Sequence, residues 1–324
     1  HILTTPEMKQ TGSHKLISVD RGRISLDHIK ADIIVSHLAI SWRALPMLIA
    51  LRALHPLTPL VHVEHGYTEA FVAANVTRKR RFATLLRIGY GLFNRVVAVS
   101  QAQGKWLVKS GAVRPSTVTV IPSCVDLSAF RNLAPARAPI RVIGAIGRLD
   151  RQKGFDTLII AFRRIARPDM VLKIYGEGSE SATLRDLAGD DPRIRFMGFS
   201  TDPVAAMAAI DLVAMPSNWE AYGLVAIEAL AAGRSLLVSG VDGLADHIPY
   251  GAQVVTGNSV GAWQNALERT AQEHVAVSHA TPVAGRCLEK AFSEKWHQIV
   301  SSLLAAQLSD VSANGPKSGG MIRE

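Results

Sequence analysis

Pro216-Ser217-Asn218-Trp219-Glu220-Ala221-Tyr222-Gly223-Leu224-Val225-Ala226-Ile227-Glu228-Ala229-Leu230-Ala231-Ala232-Gly233 is the stretch whose reading decides the fold. The apolar run Leu212-Val213-Ala214-Met215 before it reads as a buried strand, and the Ala/Leu-rich run after Gly223 reads as a helix closed by Gly233. A strand, a short turn and a helix bring the helix N-terminus to the carboxyl edge of a sheet. There its unpaired N–H groups and dipole favour an anion such as a phosphate. This reading puts Glu220 in the turn and Glu228 inside the first part of the helix.

Two glutamates separated by seven residues, preceded by Pro-Ser and enclosing Tyr-Gly-Leu-Val, resemble the signature of the retaining glycosyltransferases of family 4. Working outward, Gly147-Arg148-Leu149-Asp150-Arg151-Gln152-Lys153-Gly154-Phe155-Asp156-Thr157-Leu158-Ile159 is similar to the segment with which that family grips the donor diphosphate. Val171 to Ser179 resembles the next strand and its Gly176-Glu177-Gly178 turn, which without context is an ordinary turn. Ile194 to Phe199 resembles the strand whose loop carries the nucleotide base. Gly240 to Ile248 resembles a loop usually written with Gly-Gly and Pro-Glu, with Asp246 where Glu is usual. Ile121-Pro122-Ser123-Cys124-Val125-Asp126 stands where the family has Ile-Pro-Asn-Gly-Val-Asp. The likeness runs from about residue 32 to 300.

The resemblance implies an α/β protein of GT-B architecture, with two Rossmann-like doubly wound domains facing across a cleft. It implies a retaining transfer of a sugar from a nucleotide-sugar donor to a hydroxyl of a cell-envelope glycan or glycolipid at the cytoplasmic membrane face. A leaving nucleotide diphosphate gains negative charge as the sugar bond breaks, and Arg148 and Lys153 on one strand-to-helix loop suit that charge without a metal. No Asp-x-Asp motif occurs in the sequence. Neither a metal nor a cofactor is expected beside the nucleotide sugar. By the same resemblance Glu220 reaches hydroxyls of the transferred sugar, and the backbone around Tyr222, Gly223 and Leu224 meets sugar or phosphate. Glu228 accepts from the ribose hydroxyls, as a carboxylate can from two vicinal hydroxyls. His65 falls where the family often has a histidine approaching the donor sugar, the alternative being a half-buried histidine satisfied by backbone. His62 and Glu64, on the same strand, read as structural.

The rest of the chain fits two domains. At 324 residues it can bury two cores, and 48% hydrophobic with 19% charged residues fits a folded protein better than a disordered one. Leu133 to Pro139 is Pro/Ala-rich and reads as a linker. The boundaries expected are 1–137 for an acceptor-side domain, 138–284 for the donor domain, 285–308 for a helix crossing back to the first domain, and 309–324 for a polar, disordered tail. In the first domain Ile2-Leu3, Leu16 to Val19, Asp32 to His37, Leu60 to Gly66, Arg95 to Ser100 and Val118 to Pro122 read as strands, with a helix over Leu45 to Leu54. The chain begins at His1 without signal-peptide regions. Against the family's opening strand and glycine-rich loop, only Lys9-Gln10-Thr11-Gly12-Ser13 stands in, so a shortened opening is expected. That shortening leaves a second reading: an inactive, donor-binding, membrane-associated interaction module.

Charge is the other guide. Residues 1–137 hold 18 Lys/Arg against 7 Asp/Glu, whereas residues 138–324 hold 18 against 20, so the basic surface lies in the first half. Its possible partners are anionic lipid, an acidic acceptor or nucleic acid, of which nucleic acid explains none of the motifs. Arg78-Lys79-Arg80-Arg81 opens a run with Phe82, Leu85, Leu86, Gly89 and Phe93 at helical spacing. A basic, apolar-faced helix suits an anionic membrane surface, at about 1 kcal/mol per basic residue; alternatively its apolar face packs on the sheet. Leu38 to Val63 is too interrupted by Arg43, Arg52 and prolines to span a bilayer. Cys124 and Cys287 are far apart and lack metal-like spacing, which favours a reducing compartment. The expected location is cytoplasmic, peripheral on the inner membrane face.

Overall fold

The computed structural model describes residues 2–4, 16–18, 31–134, 136, 139–272 and 283–313, with side chains described over 31–134, 136, 139–270 and 288–307. The Lys9 to Ser13 stretch lies outside the described residues. Strands β1 (Ile2–Thr4) and β2 (Leu16–Ser18) pair in parallel with each other, apart from the larger sheets. Then β3 (Ile34–Ser36), β4 (Leu60–Glu64), β5 (Arg95–Ala98) and β6 (Val118–Val120) form a four-stranded parallel sheet in chain order. Its crossovers carry α1 (Leu45–Leu54), α2 (Glu69–Asn75), α3 (Lys79–Gly91) and α4 (Gln101–Lys109), and α5 (Ser128–Arg131) follows β6. Every residue of β4 is buried, the pattern of a parallel strand covered on both faces.

The second unit alternates β7 (Val142–Ile146), α6 (Phe155–Arg163), β8 (Val171–Tyr175), α7 (Ser181–Ala188), β9 (Ile194–Gly198), α8 (Pro203–Ala208), β10 (Leu212–Met215), α9 (Leu224–Ala231), β11 (Ser235–Ser239), a 3-10 segment (Asp242–Tyr250), β12 (Gln253–Val255) and α10 (Val260–Gln272). All six strands are parallel in the order β12-β11-β10-β7-β8-β9. The order reverses between β7 and β10, with Leu212 beside Ile143 and Val213 beside Gly144. A crevice opens beyond the carboxyl ends of strands at such a switch point, and the two stretches expected to hold the donor both begin there.

The terminal helix α11 (Val283–Ala313) returns to the first unit. Glu289 accepts from the Leu127 amide and pairs with Arg131, and Lys295 Nζ donates to the Val120 carbonyl at 3.0 Å. Ile299 and Leu303 belong to one apolar cluster with Val97 and Val99 of the first sheet and Ala226 and Ile227 of α9. Burying side chains of this kind stabilises by roughly 1.5–3 kcal/mol each, so the two units share a core. The tail expected to be disordered from 309 is helical through Ala313, because the first helix breakers, Gly315 and Pro316, come later.

The basic helix is also settled in part. Leu85, Leu86, Gly89 and Tyr90 of α3 are buried, and they join α1 and β4 in a single cluster with Phe82 packed against it. Its apolar face therefore belongs to the core, and a free apolar face for a bilayer is not what the pattern meant. Arg78, Lys79, Arg80 and Arg81 remain exposed. Among the described residues no helix is long and apolar enough to cross a membrane.

Candidate functional site

The loop after β7 is shaped by glycines and by its neighbours. Gly154 takes φ +62° at the start of α6, and a Cβ there would lie 2.3 Å from the Pro216 carbonyl oxygen, so this loop and the turn after β10 meet backbone to backbone. Asn218 N donates to Gln152 O at 2.7 Å and Asn218 Nδ2 to Arg151 O at 2.7 Å. Asn258 Nδ2 donates to Pro216 O at 3.1 Å and is itself held by Trp263 Nε1 on its Oδ1. The Gly176-Glu177-Gly178 turn braces the same loop from the other side: Gly147 N donates to Tyr175 O, and Leu149 N to Glu177 O. A Cβ at Gly176 would stand 1.9 Å from the Gly147 carbonyl oxygen. This Gly-x-Gly is a support for the Arg148 loop rather than a ligand loop in its own right.

On that frame Lys153 Nζ lies 2.5 Å from Glu220 Oε2, with side chains 14% and 11% exposed. Ser217 Oγ also approaches Glu220 Oε2 at 3.4 Å. Arg148 stands at the rim, its side chain 74% exposed, with Asp150 and Gln152 at 3.4 and 3.2 Å. The turn between is held by His247, whose Nε2–H donates to the Tyr222 carbonyl at 2.7 Å. Burial pushes the His247 imidazole below its usual pKa, so the ring is neutral near pH 7 and that nitrogen carries the proton. Gly223 takes φ +90° at the mouth of α9, and the amides of Tyr222, Gly223 and Leu224 have no backbone acceptor among the described residues. Glu228 sits half-buried on α9 with no partner among the described residues, and burial pushes its carboxyl up.

The facing wall comes from the carboxyl end of β4. Glu64 is buried and turns the chain, accepting from the Gly66 and Tyr67 amides at 2.7 and 2.9 Å and from Tyr90 Oη at 2.7 Å. Burial works against its ionisation, but bonds from His62, Tyr67 and Tyr90 outweigh it and hold the carboxyl below its usual value. His65 follows, exposed, its Nε2 2.8 Å from His37 Nδ1 with the rings near parallel. Burial, and then the neighbouring imidazoles, lower the pKa of His37; burial likewise lowers that of His65. Two neutral rings, one donating its N–H to the bare nitrogen of the other, are the arrangement this favours.

Two cavities lie between the walls. One of about 430 Å³ is lined by His65, Gly66 and Phe71 of the first unit and by Gly147, Arg148, Gln152, Lys153, Trp219, Glu220 and Ala221 of the second. The other, about 280 Å³, shares His65, Lys153 and Glu220 and runs along Tyr222, Gly223, Leu224 and Val225 to Ser123. His65, Arg148, Lys153, Glu220, Tyr222, Gly223 and Leu224 thus come together as the sequence predicts, while Glu228 lies one step away on α9. Sequence reading misses His37, Phe71, Trp219 and Asp242. Trp219 and Phe71 meet edge to face across the cleft with centroids 6.1 Å apart. His37 had a signal, since it ends the strand beside the one that ends in His65.

Two parallel-strand sheets with alternating helices, with cations and carboxylates from a switch point facing a histidine across a cleft, define the GT-B class. Solved structures agree on the fold. Anabaena HepE in complex with UDP and glucose has a TM-score of 0.68 at 20% identity, covering 83% of this chain and 78% of its own. The sucrose-phosphate synthase of Thermosynechococcus elongatus has a TM-score of 0.68 at 20% identity, covering 93% and 87%. The chain belongs to the glycosyltransferases of family 4: residues 6–129 match the family described as Glycosyltransferase Family 4, and residues 140–273 match Glycosyl transferases group 1. The D-inositol 3-phosphate glycosyltransferase of Segniliparus rotundus is 33% identical over 242 residues, 66% of this chain and 51% of that protein. That of Mycobacterium tuberculosis strain H37Ra is 26% identical over 294 residues, 82% of this chain and 60% of that protein. The chain therefore spans between half and three-fifths of the length of these curated relatives.

Proposed function

We propose that the protein is a retaining glycosyltransferase that moves a sugar from a nucleotide-sugar donor to a hydroxyl of a cell-envelope glycan or glycolipid. The observation that carries this reading is the convergence of Lys153, Glu220 and Arg148 with His65 around one cavity. The diphosphate of the donor suits the α9 mouth, where free amides and the helix dipole favour an anion. Arg148 and Lys153 then neutralise the charge that grows on the leaving phosphate, which is the work a metal does elsewhere. Lys153 is shared with Glu220, so the carboxylate that receives sugar hydroxyls is held in place by the same cation that meets the phosphate. Glu228 takes the ribose hydroxyls. Among the described residues lining the two cavities Glu220 is the one carboxylate; we assign front-face attack, in which the leaving phosphate takes the acceptor proton. HepE is complexed with UDP and with UDP-glucose in its structures, which makes a uridine nucleotide the first donor to try.

The acceptor meets the first unit, through His65 and Phe71. Exposed Arg78, Lys79, Arg80 and Arg81 at the start of α3 suit an anionic surface, and we place the protein at the inner face of the membrane through them. The test is incubation with a panel of nucleotide sugars and an envelope lipid extract, with the anomeric configuration of the product read by NMR. Transfer with retention is expected. Nucleotide binding without transfer or hydrolysis would instead assign a donor-binding interaction module, and an inverted product would remove the front-face assignment.

A further inference from the structure

We propose that Asp242 is a positioning residue that sets the register of the two walls of the cleft. Its carboxylate belongs to the second unit, yet it fastens the start of α2 in the first unit while holding the backbone amide of Glu220. Only the effect on turnover rests on the function proposed above; the clasp itself does not.

Asp242 is the one non-glycine residue with positive φ among the described residues, at +42°. Such a conformation is uncommon for a side chain other than Gly, Asn or Asp and persists where surrounding contacts determine it. The contacts here are three. Asp242 Oδ2 accepts from Thr68 Oγ1 at 2.6 Å and from Glu220 N at 3.3 Å, and Oδ1 accepts from Ala70 N at 3.1 Å. A glycine at 242 would take the same backbone conformation more readily and make none of these bonds. The carboxylate is thus what the position needs.

What it fastens leads to the cavity on both sides. Thr68 is buried and caps α2, its Oγ1 accepting from Phe71 N at 3.1 Å, and Phe71 lines the larger cavity against Trp219. On the other side, Glu220 O accepts from Gly243 N at 2.9 Å, so Glu220 is held at both backbone atoms by residues 242 and 243. The same 3-10 segment sends Asp246 Oδ2 to Gln101 N at 2.6 Å, at the start of α4. Two aspartates of one segment therefore reach two helix N-termini of the opposite unit, where a negative charge is favoured by the helix dipole. Asp242 alone also touches the donor side. Loss of its carboxylate would free α2, and with it Phe71, from the Glu220 turn.

The experiment compares the unmodified protein with Asp242→Gly, Asp242→Asn, Thr68→Val and the double variant Asp242→Gly/Thr68→Val. Asp242→Gly removes the clasp while easing the backbone, so a folded protein is expected. Small-angle scattering without ligand should show a larger radius of gyration for Asp242→Gly and for Thr68→Val, with no further increase in the double variant. Asp242→Asn keeps one acceptor oxygen but turns an amide NH2 toward a donor that the second carboxylate oxygen now accepts from, and should lie between the unmodified protein and Asp242→Gly. For transfer from UDP-glucose, kcat should fall by about tenfold or more in Asp242→Gly, while the affinity for UDP, read by the second unit, stays within about twofold. Unchanged scattering for Asp242→Gly, or additive effects of the two single substitutions, would overturn the clasp. If the unmodified protein neither binds nor transfers from any nucleotide sugar of the panel, the proposed function fails instead, and scattering still decides on Asp242.

Discussion

The two walls of the cleft are built differently. On the second unit, the loop after β7 and the turn after β10 are bonded to each other through Gln152, Arg151, Asn218 and Asn258, and Gly154 lets their backbones touch. On the first unit, His65 is exposed and rests on one bond to His37, while α2 buries none of its residues and is fixed by Asp242. The wall on the second unit is rigid, as suits the charge it is proposed to meet without rearrangement; the wall on the first unit is adjustable. Under the proposed function this separates a constant partner, the nucleotide diphosphate, from a variable one, the acceptor.

The comparison is broken most severely by Lys153→Ala. It leaves the Glu220 carboxylate buried without its cation, which costs about 3–5 kcal/mol where a buried pair is broken. It also removes a charge from the leaving group. Transfer should fall by roughly 10³-fold or more together with a lower thermal midpoint, and near-normal turnover would remove Lys153 from the site. Arg148→Ala should reduce kcat by about 10²–10³-fold yet leave the thermal midpoint in place, because its side chain is 74% exposed. A matching loss of stability would contradict a purely electrostatic role.

Gly154→Ala tests the stitching itself. The left-handed backbone costs an L side chain roughly 1–2 kcal/mol, and contact with the Pro216 carbonyl adds to that. Denaturant midpoints should fall accordingly; an unchanged midpoint would show that the two loops are free to part. On the adjustable wall, His65→Ala should lower transfer by about tenfold to a hundredfold with little change in UDP affinity, which isothermal titration would read. Normal kcat would return His65 to a structural role.

The smallest effect is in pH. His247 is held below its usual pKa by burial, with His37 and His65 lowered for the same first cause. Below about pH 6.5 the unfolded chain takes up protons that the folded chain does not. The stability these rings contribute is therefore complete above that pH and is lost as pH falls. Denaturant midpoints measured at pH 7.5 and 5.5 should drop, and should drop less in His247→Gln.

Much of the wall proposed to hold the donor was legible in the sequence, because a loop suited to phosphate needs its cations and glycines within one short stretch. Arg148, Lys153 and Gly154 are adjacent in the chain, and Glu220 to Leu224 likewise. The contacts that align the walls are of another kind. Thr68 and Asp242 are 174 positions apart and His37 and His65 are 28 apart, and no local pattern marks either pair. The α3 helix shows a further limit, since its apolar stripe has the same spacing whether it meets a sheet or a bilayer. In the same way, Gly176 and Gly178 read as an ordinary turn, and only the Gly147 carbonyl beneath them shows what that turn supports.

The return of α11 onto the first unit has a mechanical meaning. The chain passes between the units twice, once through the segment after α5 and once through this helix, and Arg131 and Glu289 bind the two passages together. Two adjacent crossings act as a pivot: they resist sliding and twisting and leave rotation about one axis. Parting the walls at Asp242 breaks its bonds to Thr68 and Ala70 while leaving these crossings in place.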